Sequence, residues 1–69
     1  MEIGKKVTEL RKKRRLTQLE LARQSGVSYS FINAVEGGKK TVRLDKLNQL
    51  LSSFGYVLGL VKDEQGRHE

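Results

Sequence analysis

The sequence predicts an all-α domain of four to five short helices followed by one short β-strand. Apolar residues recur at helical spacing along the chain, and capping residues or glycine mark ends of the second, third and fourth helical segments. By contrast, residues 56–61 (Tyr-Val-Leu-Gly-Leu-Val) are rich in β-branched and aromatic side chains and too few for a helix. We therefore expect a helical domain over residues 1–55, a strand over 56–62 and a polar tail over 63–69.

The composition predicts one small domain with a polyanionic partner. A chain of 69 residues has room for a single domain, and without cysteine it has neither disulfides nor thiolate metal sites. Well-packed helices or pairing with a second copy would add the stability that so small a core lacks. The net charge of +6 favours nucleic acid or an anionic membrane surface. Since no segment resembles a membrane span or a signal peptide, we expect a cytoplasmic protein.

The first two helices are indicated by an apolar stripe and a capping pattern. Ile3, Val7 and Leu10 share one face of a helix over residues 3–14, which we interpret as a core face rather than a membrane-binding one. Thr17 and Glu20 have the spacing of a capping box, so a second helix should begin directly after Thr17.

Glycine and serine delimit the third helix. Gly26 should end the second helix in a left-handed conformation, and Ser28 should cap a third helix over residues 29–36. A flexible basic loop over residues 37–40 follows. The fourth helix should end near Ser53, with Gly55 as its left-handed terminal residue. Its predicted apolar stripe consists of Leu44, Leu47, Leu50 and Leu51.

The second and third helices together have the pattern of a helix-turn-helix. This pattern needs a small residue where the two helices approach most closely, and Ala22 is in that place. It also needs a glycine in the turn, which is Gly26, and apolar residues that hold the third helix, which are Val27, Ile32 and Val35. A third helix held in this way would protrude and fit the major groove of DNA. The alternative is an ordinary αα-hairpin in a small bundle.

These residues resemble a known family. The segments Leu-Thr-Gln-Leu-Glu-Leu-Ala at 16–22 and Gly-Val-Ser at 26–28, with Ile32 and Glu36, are similar to the XRE-type helix-turn-helix of lambdoid phage repressors and Cro proteins. The resemblance covers about residues 3–54 and implies a lambda-repressor-like domain. Residues 50–61, which pass from the fourth helix directly into a strand, are similar to HipB-type antitoxins. That resemblance implies a homodimer that represses its own operon and binds a HipA-type kinase toxin.

The resemblance also implies which residues contact DNA bases. It places Ser28, Tyr29, Ser30 and Ala34 at base-contacting positions, and Asn33 lies one turn into the same helix. The repressors often carry glutamine where this chain has Tyr29 and Ser30. Glutamine can read adenine through two hydrogen bonds, whereas neither tyrosine nor serine can. Readout should therefore depend on single hydrogen bonds, thymine methyl contacts and DNA shape. Tyr29 as a plain surface aromatic and Ser28 as a plain cap are the alternatives.

A second group of residues is expected to contact phosphates. These are the start of the second helix and the basic positions after the third, namely Thr17, Gln18, Lys39, Lys40 and Arg43. Solvated surface charge is the alternative for each cation, and the basic run at 12–15 fits attraction of DNA and a solvated helix end equally well. The resemblance further implies an ion pair between Arg11 and Glu36 that fixes the third helix.

The predicted strand leads to the prediction of a dimer. A lone strand leaves its backbone polar groups unpaired, and the same strand of a second copy, antiparallel across a two-fold axis, would satisfy them. The expected interface comprises Phe54, Tyr56, Val57, Leu58, Leu60 and Val61. The alternative is a strand that folds back on its own helices. A dimer would read a palindromic operator with half-sites about one DNA turn apart.

Nothing in the sequence suggests catalysis, a cofactor or a metal. The single histidine, His68, lies in the polar tail, and neither paired carboxylates nor a phosphate-binding glycine loop occurs. Leu19 should point outward, as a tolerated surface residue or as part of a toxin-binding patch. Three functions remain open: an autorepressing antitoxin, a stand-alone phage- or plasmid-type repressor, and a protein-interaction module that does not bind DNA.

Overall fold

A computed structural model describes residues 2–59, which form four α-helices. These are α1 (Glu2–Lys13), α2 (Gln18–Ser25), α3 (Tyr29–Glu36) and α4 (Leu44–Ser52). Each boundary that was predicted from the sequence, which is every one except the start of α4, lies within one residue of its predicted position. None of the helices in this part of the chain is long and apolar enough to cross a membrane.

Local capping interactions explain where α2 and α3 begin. The hydroxyl of Thr17 accepts a hydrogen bond from the backbone N–H of Glu20 at 3.0 Å, and the Glu20 carboxylate accepts one from the N–H of Thr17 at 2.8 Å. Gly26 then ends α2 with a φ of 82°, and its N–H donates to the carbonyl of Ala22. Two residues later the hydroxyl of Ser28 accepts from the N–H of Phe31 at 3.0 Å and starts α3.

All four helices contribute to one hydrophobic core. Its buried members are Val7, Leu21, Ala22, Val27, Ile32, Val35, Leu47, Leu50, Leu51 and Phe54. Ile3 and Leu10 are partly buried against it, as the stripe on α1 predicts. The prediction that Leu44 belongs to the apolar stripe of α4 was wrong: its side chain is 70% exposed. Leu44 is the first residue of α4, and the helix contributes core side chains only beyond its first turn.

A glycine in α1 allows a close approach to α3. A Cβ atom at Gly4 would overlap the carbonyl oxygen of Val35, so any other residue would push the two helices apart. Gly4 itself is buried. The contact fixes the position of the carboxyl end of α3 relative to α1.

The segment after α4 forms neither helix nor strand over residues 56–59. Gly55 has the predicted left-handed conformation, with a φ of 85°, and turns the chain. The chain then runs past α4, where the N–H of Leu58 donates to the side-chain oxygen of Asn48 at 3.1 Å. The predicted strand residues Leu60 and Val61, and the tail over 63–69, lie outside the described residues. The strand and its pairing across a dimer therefore remain predictions.

Candidate nucleic-acid interface

The turn between α2 and α3 is held from both sides by side-chain hydrogen bonds. The buried hydroxyl of Ser25 donates to the carbonyl of Leu21 at 2.8 Å and accepts from the N–H of Val27 at 3.4 Å. From α4, the amide of Gln49 donates to the carbonyl of Ser25 at 2.9 Å. Gln49 also lies over Gly26, where an added Cβ would come within 2.8 Å of its amide nitrogen. These bonds fix the angle at which α3 leaves α2.

One face of α3 is polar and open to solvent, while the opposite face is sealed in the core. Ile32 and Val35 are completely buried on the inner face. The predicted base-contacting residues lie on the outer face: Ser28, Tyr29, Ser30 and Asn33 are exposed, and Ala34 is half-buried. The structure therefore brings these five positions together on one accessible surface.

The loop that follows α3 folds back beside it and forms an open groove. The N–H of Lys39 donates to the carbonyl of Ala34 at 3.0 Å, which holds the start of the loop against the helix. The groove is lined by Ser28, Ser30, Phe31 and Ala34 from the α3 side and by Lys39, Thr41, Val42 and Arg43 from the loop. Two predicted phosphate-binding cations thus lie next to the first turns of α3. Lys40 is exposed on the same loop.

A second groove lies where the amino ends of α2 and α3 meet. Thr17, Gln18, Leu19, Tyr29 and Arg11 line it. The exposed position of Leu19 agrees with the prediction that it points outward. Gln18 is partly committed to the protein, because its amide donates to a carboxylate oxygen of Glu36 at 3.0 Å. The sequence did not predict this bond.

Arg11 and Glu36 form a two-point ion pair beneath this groove. The Arg11 Nε lies 2.8 Å from Oε2 of Glu36 and Nη2 lies 3.0 Å from Oε1, while Nη1 donates to the carbonyl of Leu16 at 2.9 Å. Both side chains are largely buried, with exposures of 13% and 7%. Burial acts to raise the pKa of Glu36, but hydrogen bonds from Arg11 and Gln18 and the arginine charge outweigh it, so the pKa is lowered.

An acidic residue that sequence reasoning missed pairs with Arg43, which lines the loop groove. Asp45 accepts hydrogen bonds from Arg43 Nε at 3.1 Å and from Nη2 at 2.6 Å. The hydrogen bond from Arg43 is the main cause of the lowered pKa of Asp45. An acid in the first turn of α4, two residues after an arginine, is the sequence signal that could have revealed the pair.

This geometry agrees with comparisons to known proteins. Residues 7–58 match the helix-turn-helix family. The chain is 35% identical over 66 residues to an uncharacterized HTH-type transcriptional regulator of Sinorhizobium fredii, an alignment that covers 96% of this chain and 87% of the relative. The chain belongs to the XRE-type helix-turn-helix family of DNA-binding transcriptional regulators. It is also 28% identical over 75 residues to the immunity repressor protein of Bacillus phage phi105, covering 99% of this chain but only about half, 52%, of that repressor.

Phe54, one of the residues predicted for the dimer interface of this helix-turn-helix regulator, packs in the hydrophobic core. It is 5% exposed, and its role in sealing a dimer interface remains a prediction. The guanidinium of Arg14 covers the ring, 5.0 Å from its centroid, and donates to the carbonyl of Ser53 at 3.0 Å. Arg14 therefore joins the end of α1 to the end of α4, a structural role that the basic run at 12–15 did not reveal.

The chemistry of the regulator's surface suits a polyanion. The two grooves offer hydroxyls, amides and cationic side chains on either side of α3, which can donate to phosphate oxygens and to base edges. Lys39 and Lys40 form no ion pair with any residue in the described range 2–59. Within that same range, no group of three or more His, Cys, Asp or Glu side chains is arranged to hold a metal ion.

Proposed function

We propose that this regulator is a sequence-specific repressor that binds double-stranded DNA as a homodimer on a palindromic operator. The observation that carries the proposal is the outer face of α3, which is polar, accessible and flanked by cations, while its inner face is anchored in the core. Such a helix fits the major groove with its first turns against the base edges. Repression is the role that the name of the phage phi105 relative supports.

Base reading is assigned to the outer face of α3. Ser28, Ser30 and Asn33 can donate or accept single hydrogen bonds, and Ala34 offers a methyl group that can contact thymine. Tyr29 adds a half-exposed aromatic ring with a hydroxyl at its tip. Because Asn33 is the only side chain in this set that can bond adenine at two points, DNA shape should contribute much of the specificity.

Phosphate binding is assigned to the residues that flank α3. Lys39 and Lys40 are exposed on the loop after α3, and Arg43 lines the groove on the same side. On the other side, Thr17 caps α2 and Gln18 begins it, and the helix dipole and the backbone N–H groups that the capping box leaves free favour an anion there. Contacts at both ends would fix the position of α3 along the duplex without reading sequence.

Dimerisation is assigned to the segment after α4. Tyr56, Val57 and Leu58 are 51%, 78% and 38% exposed, an unusual run of large apolar side chains on the surface of so small a domain. Pairing of this segment with its copy, continued by Leu60 and Val61, would cover these side chains. It would also pair backbone groups of the segment that do not already bond α4, as the N–H groups of Tyr56 and Leu58 do. The two copies of α3 would then enter successive major grooves about 34 Å apart.

A finer role as an antitoxin rests on the resemblance of residues 50–61 to HipB-type proteins. In that role the dimer would repress its own operon and bind a HipA-like kinase toxin. The alternative is a stand-alone repressor of the phage or plasmid type. A kinase-like reading frame beside the gene, whose product co-purifies with this chain, is the result expected for an antitoxin. A neighbour without kinase motifs favours the stand-alone repressor.

Footprinting on the DNA upstream of the gene tests the proposed function. We expect hydroxyl-radical cleavage to show two protected half-sites of opposite orientation, with centres about one helical turn apart. A protein that binds as a single copy would protect one half-site. Uniform protection without a boundary would contradict sequence-specific binding.

A further inference from the structure

Arg43 is oriented by Asp45 in a way that leaves one edge of its guanidinium available. Asp45 engages Nε and Nη2 of Arg43, so Nη1 takes no part in the pair. Arg43 lines the groove that also contains Ser28, Ser30 and Ala34 of α3, whereas Asp45 is not among the lining residues. The carboxylate therefore holds the guanidinium at the edge of the base-reading surface.

The contribution of this pair to folding stability gives no strong reason for it. Both side chains are largely exposed, and exposed ion pairs contribute little to stability because water and salt screen them. An acid beside a DNA-binding surface also weakens attraction to phosphates. Asp45 does suit the amino end of α4, where it accepts from the N–H of Lys46 at 2.9 Å, but an asparagine could accept the same bond without the charge.

We propose that Asp45 is a positioning residue for DNA recognition. It fixes Arg43 so that the free edge of the guanidinium meets the operator backbone only when α3 lies in its correct place in the groove. The inference rests on the proposed function of DNA binding and adds a source of specificity. A flexible arginine attracts phosphates anywhere along a duplex, whereas a fixed one binds well only when α3 lies correctly in the groove. Asp45 thus favours the operator over other DNA, although its charge weakens attraction to DNA in general.

The test compares Asp45→Asn with wild type on two duplexes, the operator and a random sequence of equal length, by fluorescence anisotropy. The asparagine keeps the oxygen that accepts from Lys46 but removes the charge that holds Arg43. We expect the affinity for the operator to fall about threefold to fivefold, which is the change in affinity that the loss of one exposed ion pair can cause. The affinity for the random duplex should stay equal or rise. The matched control is Glu9→Gln, which breaks the exposed Lys6–Glu9 pair on α1 and removes the same charge. It should leave the ratio of the two affinities unchanged.

A double-mutant cycle separates positioning from simple repulsion. In an Arg43→Ala background, Asp45→Asn should no longer lower the operator-to-random ratio, because there is no guanidinium to orient. Equal increases in both affinities on Asp45→Asn would show that Asp45 is only a repulsive charge and would overturn the inference. An unchanged ratio in a variant with the wild-type melting temperature would overturn it as well. A wild-type protein without operator preference would instead refute the proposed function itself.

Discussion

The guanidinium of Arg11 holds the carboxylate of Glu36 at two points, 2.8 and 3.0 Å, and so joins α1 to the last residue of α3. Gln18 adds a third bond to the same carboxylate from the first residue of α2. One acidic side chain therefore links three helices at the end of the helix proposed to read DNA. Because the pair is largely buried, removing one partner should destabilise the domain much more than replacing both partners with apolar residues.

Removing one member of this pair should destabilise the domain strongly. Arg11→Met leaves the Glu36 carboxylate buried without its main partner, which costs about 3 kcal/mol in comparable pairs. The double variant Arg11→Met/Glu36→Leu should recover most of this loss, because apolar side chains of similar size need no partner. Urea unfolding followed by circular dichroism measures the free energy of unfolding of both variants. A double variant no more stable than Arg11→Met would show that the loss does not come from an unpaired buried carboxylate. Normal operator binding by the double variant would show that the pair is not needed to position α3.

Acidification should destabilise the domain through Glu36. The pKa of Glu36 is lowered in the folded chain relative to the ordinary value of 4.5. The stability that the ionised carboxylate contributes is therefore fully present above about pH 4.5, and it is lost as the pH falls through the lower folded-state pKa. Urea midpoints measured between pH 7 and pH 2 should fall most steeply in this acidic window. Glu36→Gln should flatten that fall, whereas the exposed control Glu9→Gln should retain it.

Base reading and phosphate binding should respond differently to mutation. Tyr29→Ala should alter which operator bases matter, with changes of up to about 1–3 kcal/mol at the affected positions. Lys39→Ala should weaken binding to all duplexes by a similar factor and reduce the slope of log affinity against log salt by about one. Competition with single-base operator variants at several salt concentrations measures both effects. Identical behaviour of the two variants would refute the division between base-reading and phosphate-binding residues.

A charge in the exposed apolar segment should prevent dimer formation. Leu58→Asp places a carboxylate where two copies are proposed to pair, and an unpaired charge at an interface is costly to bury. We expect a folded monomer in sedimentation experiments and operator binding weakened by orders of magnitude, since two linked half-site contacts become one. Gln24→Asp, which adds the same charge at an exposed position of α2, should remain dimeric. A stable dimer of Leu58→Asp would contradict pairing through this segment.

Local signals in the sequence were sufficient to predict the helices. The side chains of Thr17 and Glu20 each accept a hydrogen bond from the other residue's backbone N–H, and Gly26 ends α2 because glycine can adopt the left-handed conformation. Both features involve only residues close together in sequence, so they can be predicted without the tertiary structure. The outer and inner faces of α3 follow from the helical periodicity of its apolar residues. Leu44 was misassigned because periodicity gives the direction of a side chain but not whether the core extends as far as the end of the helix.

The bonds between helices could not be predicted in the same way. Whether Gln18 meets Glu36, Gln49 meets Ser25 or Arg14 covers Phe54 depends on how separate elements are placed, and the identity of a polar residue leaves its partner open. The Arg11–Glu36 pair was anticipated only through the resemblance to the repressor family. The pairing of residues 56–61 depends on a second chain, which local sequence cannot describe.

The most direct test of sequence-specific binding through α3 is an anisotropy titration of the full chain on its own promoter duplex and on a random duplex, repeated over a range of salt concentrations. We predict that the promoter binds at least about 1,000-fold more tightly at physiological salt and that both affinities fall steeply as salt rises. Equal affinities for the two duplexes at every salt concentration would contradict the proposal that α3 reads sequence.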